Sequence, residues 1–201
     1  MKNWALILFV IAAQAAPNTP PIPPVGPPPA VAVRILALFE QLRAAEASKA
    51  HGTAQHVAFR LSDSEINEYM QYSLRTVPRP GIESVTVKVF PNNYVSTFVV
   101  VDFDAVERWH PGTIPAILRP ALNGRKSVWV DYRIQSQNSK FTFSVEKAYY
   151  QNVRMPALFV DKLIGIVAAR QPEKYDTSKP IPLPFGLRQL WTSSRVIQGQ
   201  N

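Results

Sequence analysis

The side chains able to perform catalysis or to bind a metal are few in this sequence. It contains no cysteine, so neither a thiol nucleophile nor a thiolate ligand is available. The histidines, His51, His56 and His110, are scattered without the spacing of a metal site. His110, next to Trp109, could transfer a proton. No nucleophile or carboxylate is signalled beside it, so an ordinary surface-loop histidine is the better interpretation.

Two carboxylates are spaced for joint action. Asp102 and Asp104 stand two positions apart, on one face of a predicted strand. They could share a cation, but Ca²⁺ takes about six to eight oxygen ligands, and a solvated strand end explains the pair better. Neither a phosphate-binding loop nor a G-x-S-x-G, G-x-G-x-x-G or H-E-x-x-H motif occurs. We therefore predict a protein that is not an enzyme and that has no metal or cofactor.

The chain instead offers apolar strands in pairs. Val85, Val87 and Val89 alternate with polar residues, which is typical of a strand with one buried face. Asn92-Asn93 and Asn138-Ser139 suit tight turns, because asparagine tolerates positive φ. The pattern predicts two consecutive hairpins, and hence a four-stranded antiparallel meander, over residues 82–90 with 94–104 and 126–136 with 140–150.

The alternation assigns one set of apolar side chains to a shared face. In the last strand, Phe141, Phe143, Val145 and Tyr149 alternate and are expected to point the same way. A helix predicted over residues 155–170 should cover this face. The candidate site residues lie on the sheet and on that helix; they are Val87, Val89, Val99, Val101, Phe141, Phe143, Phe159 and Leu163.

The second strand is apolar on its other side as well. Phe98 and Val100 point away from the shared face, so we expect the helix predicted over residues 30–48 to cover that side. Two arrangements of the shared face remain open. Sheet and helices pack into a closed core, or the sheet curls round the long helix and leaves an apolar channel that can bury a ligand.

The remaining elements complete an α+β fold. A short strand is predicted over residues 56–61, and "SDSE" (62–65) forms a capping box that opens a helix running to residue 75. Residues 181–199 predict a proline-bounded approach and a short edge hairpin. We expect a curved antiparallel meander of about four long strands, wrapped around or covered by two to three helices, with that C-terminal hairpin at its edge.

The first residues predict export. Lys2 precedes an apolar run, and Ala13 and Ala15 form an A-x-A cleavage site. We expect residues 1–15 to be a signal peptide, the proline-rich residues 16–29 to be a linker, and residues 30–201 to be one domain. No lipobox cysteine could carry an acyl anchor. The expected location is periplasmic or secreted.

The charge balance predicts an anionic partner. The chain has a net charge of +8, which falls to +7 if Lys2 leaves with the signal peptide. Such a balance suits phospholipid headgroups, an anionic membrane surface or an envelope polymer, although it could also serve solubility alone. Export and the lack of a dense Lys/Arg run argue against nucleic acid.

Four segments carry a resemblance to a known family: "FRLSDSEINEYMQ" (59–71), "IESVTVKVFPNNYVSTFVVVDFD" (82–104), "VRMPALFVDKLI" (153–164) and "LPFGLRQLWTSSRVIQG" (183–199). In their order and pattern, residues 59–201 resemble the LmeA-type periplasmic phospholipid-binding family and, more distantly, the tubular lipid-binding (TULIP-like) proteins. The resemblance implies an exported protein that binds phospholipid or another acyl lipid in an elongated apolar cavity, without catalysis.

Two functions from different classes follow. The first is lipid binding in an apolar cavity between sheet and helix, for transport or homeostasis of envelope lipids. The alternative is a closed-core envelope interaction module that docks a protein or an anionic polymer. A hydrolase is the weakest interpretation, because no nucleophile–base pair is visible in the sequence.

Overall fold

The computed structural model describes residues 26–50, 52, 55–77, 79, 81–109, 111–112, 114, 116–156, 160 and 180–201. The predicted signal peptide and the linker up to residue 25 lie outside the described residues. So do His51, His110 and most of the helix predicted over residues 155–170, including Phe159 and Leu163.

The described residues form three α-helices and nine strands. The helices are α1 (Ala30–Ala50), α2 (Asp63–Thr76) and α3 (Phe103–Trp109), with 3₁₀ turns at Ala116–Leu118 and Pro184–Gly186. The strands are β1 (Ala58–Ser62), β2 (Ile82–Phe90), β3 (Tyr94–Asp102), β4 (Arg125–Gln137), β5 (Lys140–Tyr150), β6 (Val153–Arg154), β7 (Ile181–Pro182), β8 (Gln189–Ser193) and β9 (Val196–Gln200). Among the described helices, none is both long and apolar enough to span a bilayer.

The predicted meander is confirmed as the centre of the larger sheet. Its order is β2–β3–β4–β5–β6, all antiparallel, and β7 pairs with the start of β5. The first turn has both Asn92 and Asn93 at a φ of 61°. The second has Asn138 at 52° and Ser139 at 59°. Left-handed backbone at these positions explains why asparagine recurs there.

A β-bulge changes one predicted face. The β4–β5 register shifts between Asp131 and Tyr132, so that Asp131 lies opposite Lys147 and Tyr132 opposite Val145. Glu146 is the extra residue, and beyond it the alternation is inverted. The prediction that Tyr149 shares a face with Phe141 and Phe143 is therefore wrong, since Ala148 takes that side.

The C-terminal hairpin lies in a second sheet. β9 is the central strand of the order β1–β9–β8, so the hairpin recruits the strand that precedes α2. Hydrogen bonds join the two sheets: the Leu190 N–H donates to Ser136 Oγ (2.8 Å), and the Thr192 N–H donates to Asn93 Oδ1 (2.8 Å). The short sheet thus closes over the turn end of the long one.

The capping box at the start of α2 is confirmed. The Glu65 N–H donates to Ser62 Oγ (3.3 Å), and the Ser62 N–H donates to Glu65 Oε2 (2.7 Å). The helix then lies against β2 and buries Ile66 and Met70. Local sequence thus fixes where α2 begins, and its apolar stripe faces the core.

Helix α1 lies in the main core. Its residues Ala32, Ile35 and Leu42 are buried in the same cluster as Val85, Val87 and Val89 of the sheet. The helix packs against α2 and the Pro184–Gly186 turn. The prediction that this helix covers the other side of β3 is therefore wrong, and Phe98 there is 40% exposed.

β3, the second strand of the predicted meander, ends at Asp102, two residues earlier than predicted. Asp102 Oδ1 accepts hydrogen bonds from the N–H groups of Asp104 (3.0 Å) and Ala105 (3.1 Å), and α3 begins at Phe103. This satisfies N–H donors of the first helical turn. The two carboxylates therefore do not share a strand face, because Asp104 is helical.

Candidate functional site

The strand register places all six predicted sheet residues on one face. Val85 lies opposite Val99, which in turn lies opposite Val128. Phe143 lies opposite Ile134, two positions along from Tyr132. Because directly opposed residues share a side of the sheet, the inner face includes Val87, Val89, Val99, Val101, Phe141 and Phe143. The other two candidates, Phe159 and Leu163, lie outside the described residues.

The half of the inner face nearest the turns is closely packed. Val87 is 1% exposed, Val89 2% and Phe141 5%. They belong to the core cluster that also holds α1, α2 and the smaller sheet. Side chains so enclosed contribute to the free energy of folding, and a ligand could reach them only by displacing α2 or the C-terminal hairpin.

Most of the other half of the inner face is only half-buried; Val101 and Ala148 are its buried members. Val99 and Phe143 lie at the margin of the main core. A second cluster begins beside them, in which Ala148, Met155 and Val160 are buried. Its half-buried members are Val128, Val130, Val145 and Tyr150. We call Val99, Val128, Val130, Phe143 and Val145 the aliphatic margin. It keeps accessible apolar surface, and it includes Val99 and Phe143 of the predicted site.

One pair of hydroxyl groups is embedded in this face. Thr97 Oγ1 lies 3.2 Å from the Tyr132 hydroxyl, and the two are hydrogen-bonded. Burial raises the pKa of Tyr132 above its ordinary value, while the hydrogen bond with Thr97 partly offsets the rise. The phenol is therefore neutral at physiological pH. The pair adds polarity without charge next to the aliphatic margin.

A small apolar cavity lies elsewhere, between α1 and the smaller sheet. It has a volume of about 40 Å³ and is lined by residues that include Leu42, Phe59 and Phe185. Ligand pockets usually measure roughly 300–1,000 Å³. This cavity is thus too small to hold an acyl chain, and it reflects incomplete packing between the helix and the sheet.

The opposite, outer face carries an aromatic row that sequence reasoning did not identify. Phe98, Trp129 and Tyr149 lie directly opposite one another on β3, β4 and β5. Trp129 is 44% exposed, and its ring centroid lies 5.7 Å from that of Tyr149. Phe98 and Trp129 could have been placed together from alternation alone. Tyr149 joins them only because of the bulge at Glu146.

The indole N–H of Trp129 is hydrogen-bonded to two buried polar side chains. Its Nε1–H lies 2.6 Å from Ser96 Oγ and 2.8 Å from Asp131 Oδ1. Both acceptors are 7% exposed. Burial, together with the hydrogen bond to Asp131, raises the pKa of Tyr94 beside them. These hydrogen bonds fix the orientation of the indole ring. Because its N–H group already has partners, the exposed side of the ring needs no further hydrogen bond.

The described residues hold no group of three or more carboxylate or imidazole side chains placed to bind a metal. Comparison with protein-family models, with curated proteins and with solved structures found no match to this chain.

Proposed function

We propose that this protein is an exported, non-enzymatic lipid-binding protein. Its ligand is a phospholipid or another acyl lipid, whose chains lie on the inner face of β3, β4 and β5. The observation that carries the proposal is the aliphatic margin, an apolar surface that continues the inner face beyond the packed core and remains half-buried.

The chemistry of the margin suits hydrocarbon. Its members are aliphatic apart from Phe143, and the neighbouring Thr97 and Tyr132 hydroxyls satisfy each other. Each methylene group of a chain buried there would gain about 0.8 kcal/mol. A headgroup would stay in water, where the net charge of +7 expected after removal of Lys2 with the signal peptide favours an anionic one. The predicted periplasmic or secreted location would bring the protein to envelope phospholipids.

The test is lipid analysis of the wild-type protein purified from its native envelope without detergent. Mass spectrometry of the extract should find an acyl lipid in near-stoichiometric amount. An equally basic exported protein, purified in parallel, controls for adsorption. Lipid at the level of that control, with full protein recovery, would contradict the proposal.

The second candidate function is a closed-core module that docks a protein or an anionic polymer. The outer aromatic row favours it, since exposed apolar patches mark interaction surfaces. The two candidates differ in two expectations: the closed-core module carries no lipid, and its inner face tolerates no loss of side-chain volume.

A further inference from the structure

We propose that the outer face of the larger sheet docks on an anionic membrane surface. The aromatic row of Phe98, Trp129 and Tyr149 would enter the lipid interface, and Lys88, Lys147 and Arg154 would meet the headgroups. The choice of a membrane over other anionic partners rests on the proposed lipid-binding function. The docking surface itself is defined by the residues of this face.

The aromatic row crosses the centre of the sheet. Neighbouring strands lie about 4.8 Å apart, so the row of three side chains spans roughly 10 Å. Phe90 and Tyr94 pair at the turn end of the same face, with ring centroids 5.6 Å apart. Phe90, Phe98 and Trp129 are each at least 40% exposed. So much aromatic surface facing solvent on one side of a sheet indicates an interaction site.

The hydrogen bonds of Trp129 favour an apolar surrounding for its ring. An indole leaving water usually needs a partner for its N–H, which is why tryptophan sits where one end stays wet. Here Ser96 and Asp131 already accept from Nε1. The ring can therefore enter the interface between headgroups and acyl chains without losing a hydrogen bond.

Basic side chains flank the aromatic row. Lys88 and Lys147 belong to the neighbouring cross-strand row, together with Ser96 and Asp131. Arg154 lies opposite Tyr149. All three basic residues are exposed. Aromatic rings bordered by lysine and arginine are typical of surfaces that lie at a membrane interface.

The acidic groups of this region are already engaged. Asp131 is buried beneath the Trp129 indole. Glu146 forms an ion pair with Arg133. Lys88, Lys147 and Arg154 therefore outnumber Asp131, whose charge is buried. The positive balance around the row complements a bilayer rich in anionic lipid.

Vesicle flotation tests the proposal directly. The wild-type protein should float with vesicles of equal parts phosphatidylglycerol and phosphatidylcholine, and it should stay behind with phosphatidylcholine alone. Added salt should weaken the binding, because headgroup attraction is screened. Failure to float with the anionic vesicles would overturn the proposal.

Matched charge variants locate the surface. Lys147→Gln should weaken vesicle partitioning by about fivefold, since a basic residue near the surface contributes about that much. Lys140→Gln removes the same charge from the same face of β5, seven residues away near the turn. It should have little effect, because about 20 Å of strand exceeds the screening length. Equal effects of both variants would show that binding is not centred on the aromatic row, and would overturn the proposed docking site.

Aromatic variants test insertion. Phe98→Ser removes a ring that is 40% exposed, so folding should be retained. Vesicle partitioning should fall by about tenfold. Ser144→Ala, on the same face, should bind as the wild type does. Thermal unfolding of each variant checks the fold. Vesicle binding by Phe98→Ser equal to that of Ser144→Ala would contradict insertion.

Two further experimental outcomes distinguish this inference from the proposed function and from other anionic partners. If the native protein carries no lipid but flotation depends on Lys147 and Phe98, docking stands and the carrier proposal falls. Single-stranded DNA and dextran sulfate serve as alternative anionic probes. Binding to either that is lost in the same two variants, without vesicle binding, would overturn the membrane as the occupant.

Discussion

The side-chain amide of Asn67 pairs with the backbone of Val87 as a neighbouring strand would. Its Nδ2 donates to the Val87 carbonyl (2.8 Å), and its Oδ1 accepts from the Val87 N–H (2.7 Å). β2 is the edge of the larger sheet. Two residues further along β2, the Val89 carbonyl also points away from β3, and it accepts a hydrogen bond from the Arg195 N–H (3.0 Å). Helix α2 and the C-terminal hairpin thus occupy hydrogen-bonding groups that an edge strand would otherwise expose.

Asn67→Ala should destabilise the fold by about 2 kcal/mol, because it leaves two part-buried backbone groups without partners. Chemical denaturation measures the change, and the Val87 amide should exchange with solvent faster. Gln71→Ala, on the exposed side of the same helix, is the control and should change the free energy of unfolding by less than about 0.5 kcal/mol. Equal effects of the two substitutions would disprove the role given to Asn67.

Phe141 and Phe143 offer a matched pair on the inner face of β5. Phe141 is 5% exposed within the core, whereas Phe143 lies half-buried at its margin. Phe141→Ala should cost about 3–5 kcal/mol of unfolding free energy, as a packed phenylalanine does. Phe143→Ala should cost distinctly less, because fewer fixed neighbours surround it. A cost for Phe143→Ala as large as that for Phe141→Ala would favour the closed-core module.

Gly81 lies so close to neighbouring atoms that any side chain at this position would clash. Its φ is +87°, and a Cβ there would lie 2.7 Å from the Asp102 carbonyl oxygen and overlap Val106. Gly112 has a similar φ of +81°, with open space around it. Both alanine substitutions should lower the free energy of unfolding by about 1 kcal/mol, because alanine is unfavourable in left-handed backbone. Gly81→Ala should lower the melting temperature further than Gly112→Ala; similar shifts would rule out the steric contribution.

Because the phenol of Tyr132 is buried, the free energy of unfolding should fall with rising pH in the alkaline range. Burial raises the pKa of Tyr132 in the folded protein above its unfolded value of about 10. The folded state therefore holds the proton more tightly, so this stabilisation is complete below about pH 10 and is lost as the pH rises further. Tyr132→Phe should show a shallower loss of unfolding free energy above pH 10 than the wild type. Identical slopes would contradict burial of this hydroxyl.

Elements with local signals could be predicted from the sequence. The capping box needs only Ser62 and Glu65, three positions apart, and the turn at Asn92 and Asn93 needs only their tolerance of positive φ. Such features depend on neighbouring residues, so alternation and turn chemistry suffice to place them. The four long strands of the meander followed from these signals.

Features that depend on distant residues could not be predicted. Ala58 of β1 pairs with Gln200 of β9. Each of these strands has five residues, and no pattern within them predicts a partner so far along the chain. The bulge at Glu146 moves Tyr149 to the outer face, although strict alternation assigns it to the inner one. Alternation therefore predicts the sheet part of the candidate site as a set of inward-facing strand residues, to which the predicted helix adds Phe159 and Leu163. Its division into a packed half and a half-buried margin depends on what α2 and the C-terminal hairpin cover.

The lipid content of two neighbouring variants tests the lipid-binding proposal most directly. Val99 and Val100 are adjacent and both half-buried, but Val99 faces inward at the aliphatic margin and Val100 faces outward. Acyl lipid per folded protein should be lost in Val99→Asp, because an unpaired carboxylate would lie in the apolar site. Val100→Asp should keep the wild-type amount when both variants are loaded from the same detergent-solubilised phospholipid, which bypasses docking of the outer face on a membrane. Equal lipid content in the two variants, or a wild-type protein with no lipid to lose, would contradict the proposal.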